Sequence, residues 1–167
     1  YQSATEGFKL IFGEDVTSIP DYKFRFSNVS SIEFSPNLKT IGYNSFDSCV
    51  MLESISLPEN LESIGSSAFT SCTSLKTIEY NVRLLLDLNS RIFSGSESGV
   101  TVIISDSVNY IPNSLFNFST LAVVHYNASS VSLHPYTANT SPWKNAGSAI
   151  ENGVSLIIGD NVKEIQG

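Results

Sequence analysis

The chain has 167 residues, and its 9 Lys and Arg against 16 Asp and Glu give a formal net charge of −7. Hydrophobic residues make up 41% of the chain and charged residues 15%, which is too apolar and too lightly charged for a disordered protein. The negative charge disfavours nucleic acid and anionic membranes as partners, and no apolar run approaches the roughly 20 residues that span a bilayer. We therefore expect a folded chain that neither inserts into a membrane nor binds nucleic acid.

One pattern of apolar residues recurs along the chain. Each copy has an apolar anchor, an aliphatic residue four positions later, Ile three positions after that, and Phe five positions further on. The complete copies are Phe12-Val16-Ile19-Phe24, Phe34-Leu38-Ile41-Phe46, Leu57-Leu61-Ile64-Phe69 and Ile104-Val108-Ile111-Phe116. A partial copy runs Ile158-Val162-Ile165, and Tyr80 and Tyr126 begin units whose middles have diverged. Successive anchors lie 22 to 24 residues apart, except for a final step of 32.

A period of this length is typical of leucine-rich repeats, in which each unit is a strand followed by a return segment. We expect each strand to end at the anchor, with alternate apolar side chains on one interior face. The third residue of the following turn is short and polar, and we expect its side chain to hydrogen-bond the turn's own backbone. These turn residues are Asp15, Asn37, Asn60, Ser107 and Asn161. The aromatic rings expected to stack as a spine are Phe24, Phe46, Phe69, Phe93 and Phe116.

The units IEFSPNLKTIGYNSFDSCVML and ISLPENLESIGSSAFTSCTSL resemble BspA-type leucine-rich repeats, the group that also contains the TpLRR proteins. The unit from Ile55 to Leu75 matches nearly every position of the pattern I-x-L-P-x-x-L-x-x-I-G-x-x-A-F-x-x-C-x-x-L. The resemblance covers about Lys9 to Gly167. It implies a curved solenoid on secreted or cell-surface proteins of bacteria and some protists, with roles in adhesion and protein binding and no catalytic residues to transfer.

The expected fold is therefore an α/β-type repeat solenoid, a right-handed leucine-rich repeat superhelix with a parallel concave β-sheet and little regular helix. Residues 1–167 are expected to form one domain of about seven rungs, the last rung being incomplete. No capping sequence is evident, and open ends of an array expose strand edges and core. We expect the array to continue beyond this chain or to stack end to end with another copy.

Few residues suggest chemistry other than packing. Cys49 and Cys72 occupy the same repeat position and suit buried packing, with a disulfide or a metal pair as alternatives. His125 and His134 are too few for a zinc site. Cys72 and His125 lie three rungs apart, about 14 Å at strand spacing, which is too far for a nucleophile pair. We therefore expect no enzyme activity, metal or cofactor.

The candidate binding surface is the outer face of the concave sheet. One row of outward positions comprises Ile11, Glu33, Ser56, Glu79, Ile103, His125 and Ile157. The neighbouring row comprises Lys9, Ser31, Ser54, Thr77, Thr101, Val123 and Ser155. Ile103, Val123 and His125 are expected to cluster, and Trp143, in the least repetitive segment (Asn127 to Gly153), is either a binding anchor or a core residue aligned with Phe93.

The resemblance implies an extracellular or cell-surface module, and the outward rows predict that it binds a protein, such as a host or matrix protein, through the concave face. A carboxylate-rich surface favours basic or neutral partners. One alternative is a stalk or spacer that displays another domain. The other is a glycan-binding module, which would need exposed aromatic side chains that the two concave rows lack.

Overall fold

The computed structural model describes residues 6–83, 85, 87–88, 91–95, 99–112, 115–116, 121–128, 155–160 and 162. Within these residues the chain forms eleven strands and no helix. The strands are β1 (Phe8–Ile11), β2 (Ser18–Ile19), β3 (Val29–Glu33), β4 (Thr40–Ile41), β5 (Ser54–Leu57), β6 (Ser63–Ile64), β7 (Thr77–Tyr80), β8 (Asp87–Leu88), β9 (Val100–Ile104), β10 (Leu121–Tyr126) and β11 (Ser155–Ile158).

The longer strands form one seven-stranded sheet in the order β1-β3-β5-β7-β9-β10-β11, and every neighbouring pair is parallel. Each strand lies where the apolar pattern predicts it, although β1 and β3 end one residue before the anchors Phe12 and Phe34. Consecutive repeats therefore contribute consecutive strands. This arrangement confirms the predicted repeat solenoid with a parallel sheet.

The return segments form a second parallel sheet, in the order β2-β4-β6-β8, that the sequence analysis did not predict. Each of its strands is only two residues long, and Ile19, Ile41, Ile64 and Leu88 are aligned across it. A two-residue strand is too short to show an alternating pattern. It forms because stacking of the first sheet brings equivalent residue pairs, Ser-Ile, Thr-Ile, Ser-Ile and Asp-Leu, into register.

The core lies between the two sheets. Ile55, Ile78, Val102 and Val124 are aligned on the inner side of the first sheet and are buried. Behind them the predicted aromatic spine is present. Stacked rings with centroids 5.2–6.4 Å apart join the pairs Phe24–Phe46, Phe46–Phe69, Phe69–Phe93 and Phe93–Phe116.

The last strand departs from this burial pattern. Leu156 pairs with Val124 and Ile158 pairs with Tyr126, so both continue inward columns of the sheet. Their side chains are nevertheless 58% and 46% exposed. The inner side chains of a rung are covered by the rung that follows. Leu156 and Ile158 lack this cover, because no described strand lies on the outer edge of β11.

The first four return segments each contain two residues with left-handed backbone at equivalent repeat positions. One column has φ between 49° and 61° and comprises Tyr22, Asn44, Ser67 and Arg91. The other column comprises Phe26, Ser48, Ser71 and Gly95. Between neighbouring rungs, the main-chain N–H groups of Tyr22, Phe24 and Phe26 donate to the carbonyls of Tyr43, Ser45 and Asp47, at 2.8–2.9 Å. Main-chain pairing between rungs thus continues through the return segments.

For three of the turn side chains, the prediction that they hydrogen-bond their own turn is wrong, because the acceptor lies on another rung. The Asn37 amide donates to the Glu14 carbonyl, the Asn60 amide to the Pro36 carbonyl, and the Ser107 hydroxyl to the Asn81 carbonyl, each at 3.1 Å. All three bonds reach the preceding rung and not the residue's own turn, because in-register stacking brings that carbonyl within hydrogen-bond distance. Asn161 lies outside the described residues.

The glycine of the repeat has a steric role. A Cβ atom on Gly42 would lie 2.5 Å from the main-chain nitrogen of Asp21, and one on Gly65 would clash with the main chain of Tyr43. In both cases the clash is with the backbone of the preceding rung. Only glycine allows neighbouring return segments to approach this closely.

We expect Gly65→Ala to lower the free energy of unfolding by about 1–3 kcal/mol, because the methyl group would force two rungs apart. Gly13→Ala is the matched control, since no atom lies within 4 Å of the Cβ position there; its effect should stay within about 0.5 kcal/mol. Urea denaturation of both variants measures the difference. Equal midpoints would contradict the steric role of Gly65.

Candidate binding surfaces

The structure places the predicted outward row on one face of the seven-stranded sheet, here called the sheet face. The strand pairing aligns Ile11 with Glu33 and separately aligns Ser56, Glu79, Ile103, His125 and Ile157 in one column. The Ser31–Ser54 pairing carries the register from β3 to β5. Ile11, Glu33, Ser56, Glu79 and Ile157 are exposed, and Ile103 and His125 are half-buried.

The neighbouring row is in register across all seven strands. Its members are Lys9, Ser31, Ser54, Thr77, Thr101, Val123 and Ser155. Val123 and His125 are two residues apart on β10 and therefore share this face. Since Ile103 is the strand partner of His125, the predicted cluster of Ile103, Val123 and His125 is brought together.

The sheet face changes character along the array. Towards its β1 end, Lys9 Nζ lies 2.7 Å from Glu33 Oε2, but both side chains are more than half exposed, so the pair adds little stability. Glu79 follows as an exposed carboxylate with no ion pair to a described residue. Beyond it lies an apolar patch, defined here as Ile103, Val123, His125 and Ile157.

Trp143 and most of the Asn127–Gly153 segment lie outside the described residues, as does His134. Whether Trp143 is a binding anchor or a core residue stays a prediction. The described residues contain no group of three or more His, Cys, Asp or Glu side chains that could hold a metal ion. In this part of the chain no helix is long and apolar enough to cross a membrane.

Both cysteines are buried and free, in agreement with the packing interpretation. Each thiol lies against a carbonyl of the preceding rung. Cys49 Sγ is 3.2 Å from the Phe24 oxygen, and Cys72 Sγ is 3.3 Å from the Phe46 oxygen. Burial raises the pKa of Cys49 to about 11. Burial, together with the neighbouring Cys49, also raises the pKa of Cys72, so both groups stay as unreactive thiols.

A second surface, on the return side of the solenoid, was missed by the sequence analysis. Tyr22, Phe26 and Tyr43 are 51%, 66% and 40% exposed. Tyr43 lines a groove across β2, β4 and β6, and Tyr22 packs on Tyr43. None of the three belongs to the repeated apolar pattern. Aromatic residues outside that pattern are therefore the sequence signal that could have identified this surface.

We expect a thiol reagent at about pH 8 to label neither cysteine of the folded protein and to label both in denaturant. The rate for the folded chain should report opening of the array, since the thiols lie at 0% and 1% exposure. Absorbance with a chromogenic disulfide reagent measures the number of thiols labelled. Immediate labelling of one or two thiols without denaturant would contradict the burial of this column.

We also expect stability to fall as the pH rises from about 8.5, the ordinary thiol pKa, towards about 11, the pKa of folded Cys49. In this window the unfolded chain releases a proton that the folded chain retains, so ionisation favours unfolding. The fall should be less steep in Cys49→Ala, by up to about 1.4 kcal/mol per pH unit. Urea midpoints at several pH values measure the slopes, and parallel slopes would contradict the prediction.

The comparison with family models agrees with the geometry. The model described as "BspA type Leucine rich repeat region" matches in 6 copies over residues 3–137. A search of curated proteins finds none that matches the chain. Repeats of this family suggest protein interaction, are typically non-catalytic, and are commonly extracellular or surface-associated. With most of its length matched, the chain belongs to the BspA-type leucine-rich repeat family.

Proposed function

We propose that the chain is a non-catalytic adhesion module, secreted or displayed at the cell surface, that binds a protein partner through its sheet face. The observation that supports this most is the apolar patch of Ile103, Val123, His125 and Ile157 beside the carboxylate of Glu79. The four patch positions occupy three adjacent strands in direct register. Apolar clusters with a polar surround are typical of protein interaction sites.

The composition around the patch limits the partner. Ser and Thr side chains occupy five of the seven positions in the second row, so the surround is flat and able to hydrogen-bond. The overall charge of −7 favours a basic or neutral partner, such as a host or matrix protein, over a polyanion. Family membership supports the general role of protein interaction.

The exposed inward side chains of Leu156 and Ile158 extend the proposal to assembly. They suit a further rung, supplied either by continuation of the array or by the first strand of a second copy. In a second copy, β1 would add to β11 in the same parallel sense as every other pair. The contact would be heterologous and would therefore produce a row of copies.

A stalk or spacer is the second candidate function. It is favoured by the polar side chains of the sheet face between β3 and β7, where both rows consist of Ser, Thr and Glu. Such a face offers no apolar anchor for a partner. The function would then reside in another domain that this array holds at a distance.

The decisive experiment compares retention of proteins from secreted and cell-surface extracts on immobilised parent chain and on a variant with Ile103, Val123 and His125 changed to Ser. We expect a partner that the parent retains and that the variant binds at least about tenfold more weakly. Val50→Ser is the matched control, because Val50 is an exposed aliphatic residue outside both sheets. It should retain the partner like the parent.

A second variant with Ile103 and Val123 changed to Thr keeps the β-branched shape that strands favour. It separates lost binding from lost folding. Equal retention by the parent and both variants would place the site elsewhere. Absence of any specific partner, including a second copy of the chain, would favour the stalk.

A further inference from the structure

The return side of the solenoid carries a groove of about 540 Å³ across the second sheet. Its floor and walls come from three consecutive rungs, because Ser18, Thr40 and Ser63 are aligned partners on β2, β4 and β6. Gly42 and Gly65 line the groove without a side chain, because a Cβ atom at either position would clash with the preceding rung. The groove therefore runs along the axis of the array and crosses one rung about every 4.8 Å.

The hydroxyl groups that line this groove are not used by the fold. The hydroxyls of Ser18, Thr40, Ser63 and Ser66 line it and make no hydrogen bond to any described residue. By contrast, the hydroxyls of Ser35 and Ser45 donate to main-chain carbonyls at 3.1 and 3.0 Å. The groove thus presents a row of free donors and acceptors to any molecule that occupies it.

An aromatic pair stands at one side of the groove. Tyr43 lines it directly, and the ring of Tyr22 packs edge to face on Tyr43 with centroids 5.2 Å apart. In such a pair, the edge of one ring points at the face of the other. Both faces of the first ring therefore stay uncovered by the second. Both tyrosines are about half exposed, so a flat apolar surface adjoins the row of hydroxyls.

The charge that lines the groove disfavours an anionic ligand. Among the described residues that line it, Asp21 alone is charged, and its Oδ1 accepts a hydrogen bond from the Tyr43 main-chain N–H at 2.7 Å. Arg25, whose guanidinium lies 5.8 Å from the centroid of the Tyr22 ring, is already engaged. Its Nε lies 2.7 Å from Asp47 Oδ2, and its guanidinium covers the ring of Phe26 at 4.4 Å.

From these observations we propose that the groove binds a neutral polysaccharide chain along the axis of the array. A polysaccharide repeats a hydroxyl-rich ring at intervals close to the rung spacing, so successive sugars would meet successive hydroxyls of Ser18, Thr40 and Ser63. The weakly polar face of one sugar ring would stack on the tyrosine pair, as apolar surface does on aromatic rings. The Asp21 carboxylate would accept hydrogen bonds from sugar hydroxyls.

The proposal is independent of the sheet face, which lies on the opposite side of the core. The two outward rows of the sheet face carry no Phe, Tyr or Trp, whereas the described part of the return side has three exposed aromatic side chains. The chain would then have two surfaces of different chemistry, one apolar and one hydroxyl-lined.

The test measures binding of three hexasaccharides by calorimetry, with cellohexaose and maltohexaose as neutral probes and hexagalacturonic acid as an anionic one. We expect at least one neutral probe to bind and the anionic probe not to bind. Tyr43→Ala should weaken that binding about tenfold, and Thr40→Val, which keeps the shape and removes the hydroxyl, about threefold to tenfold. Phe8→Ala is the matched control, because Phe8 is an exposed aromatic residue of β1, and it should bind like the parent.

Amide chemical shifts locate the ligand without any substitution, so they keep the test valid if a variant fails to fold. The neutral probe should move the resonances of Gly42, Tyr43 and Gly65 and leave those of Ile103 and Val123 in place. Shifts confined to the sheet face, or no neutral binding at millimolar concentration, would overturn the proposal. So would a Pro-rich peptide that shifts the groove resonances where no hexasaccharide does, because the groove would then be a peptide site. The variant of the apolar patch should keep full glycan binding, so failure of one proposal leaves the other intact.

Discussion

The distance between neighbouring rungs is the constraint on which the rest of this structure depends. Parallel main-chain pairing sets it near 4.8 Å in both sheets, and pairing between the return segments continues it around much of each rung. Planar rings stack at 5.2–6.4 Å in the spine, a little above that spacing. At Gly42 and Gly65 the same distance leaves no room for a side chain. It also brings Asn37 and Asn60 within reach of carbonyls one rung away.

The same spacing dictates how function is laid out. A residue type that recurs at one repeat position becomes a row along the array, and residues several rungs apart do not meet. The molecule is therefore suited to ligands that are broad or extended. The ion pairs described between charged side chains follow this geometry, because Lys9–Glu33, Arg25–Asp47, Lys39–Glu62 and Arg83–Glu59 each join adjacent rungs.

The spacing of apolar residues in the sequence was sufficient to predict the strands of the first sheet, the aromatic spine and the register of the outward rows. It succeeded because those features depend on side chains that repeat. It failed for features that depend on main-chain pairing between rungs. The second sheet has two-residue strands, and the turn asparagines bond to a neighbouring rung that only the stacked array provides. The aromatic side of the groove was missed for the opposite reason, because Tyr22 and Tyr43 do not repeat. The role of Trp143 stays a prediction.

The first left-handed column of the return segments, at positions 22, 44, 67 and 91, bears on how the side chains of such a protein can vary. Tyr, Asn, Ser and Arg occupy the same backbone conformation at positions 22, 44, 67 and 91, although most of these residue types disfavour it by about 1–2 kcal/mol. The conformation is therefore imposed by the hydrogen bonds between rungs and not by the side chain. A phenol and a guanidinium are exposed at this position in two rungs, a hydroxyl is half-buried in a third, and the amide of Asn44 is buried in the fourth, all on the same backbone conformation. Such a position is free to acquire new chemistry while the fold beneath it stays unchanged.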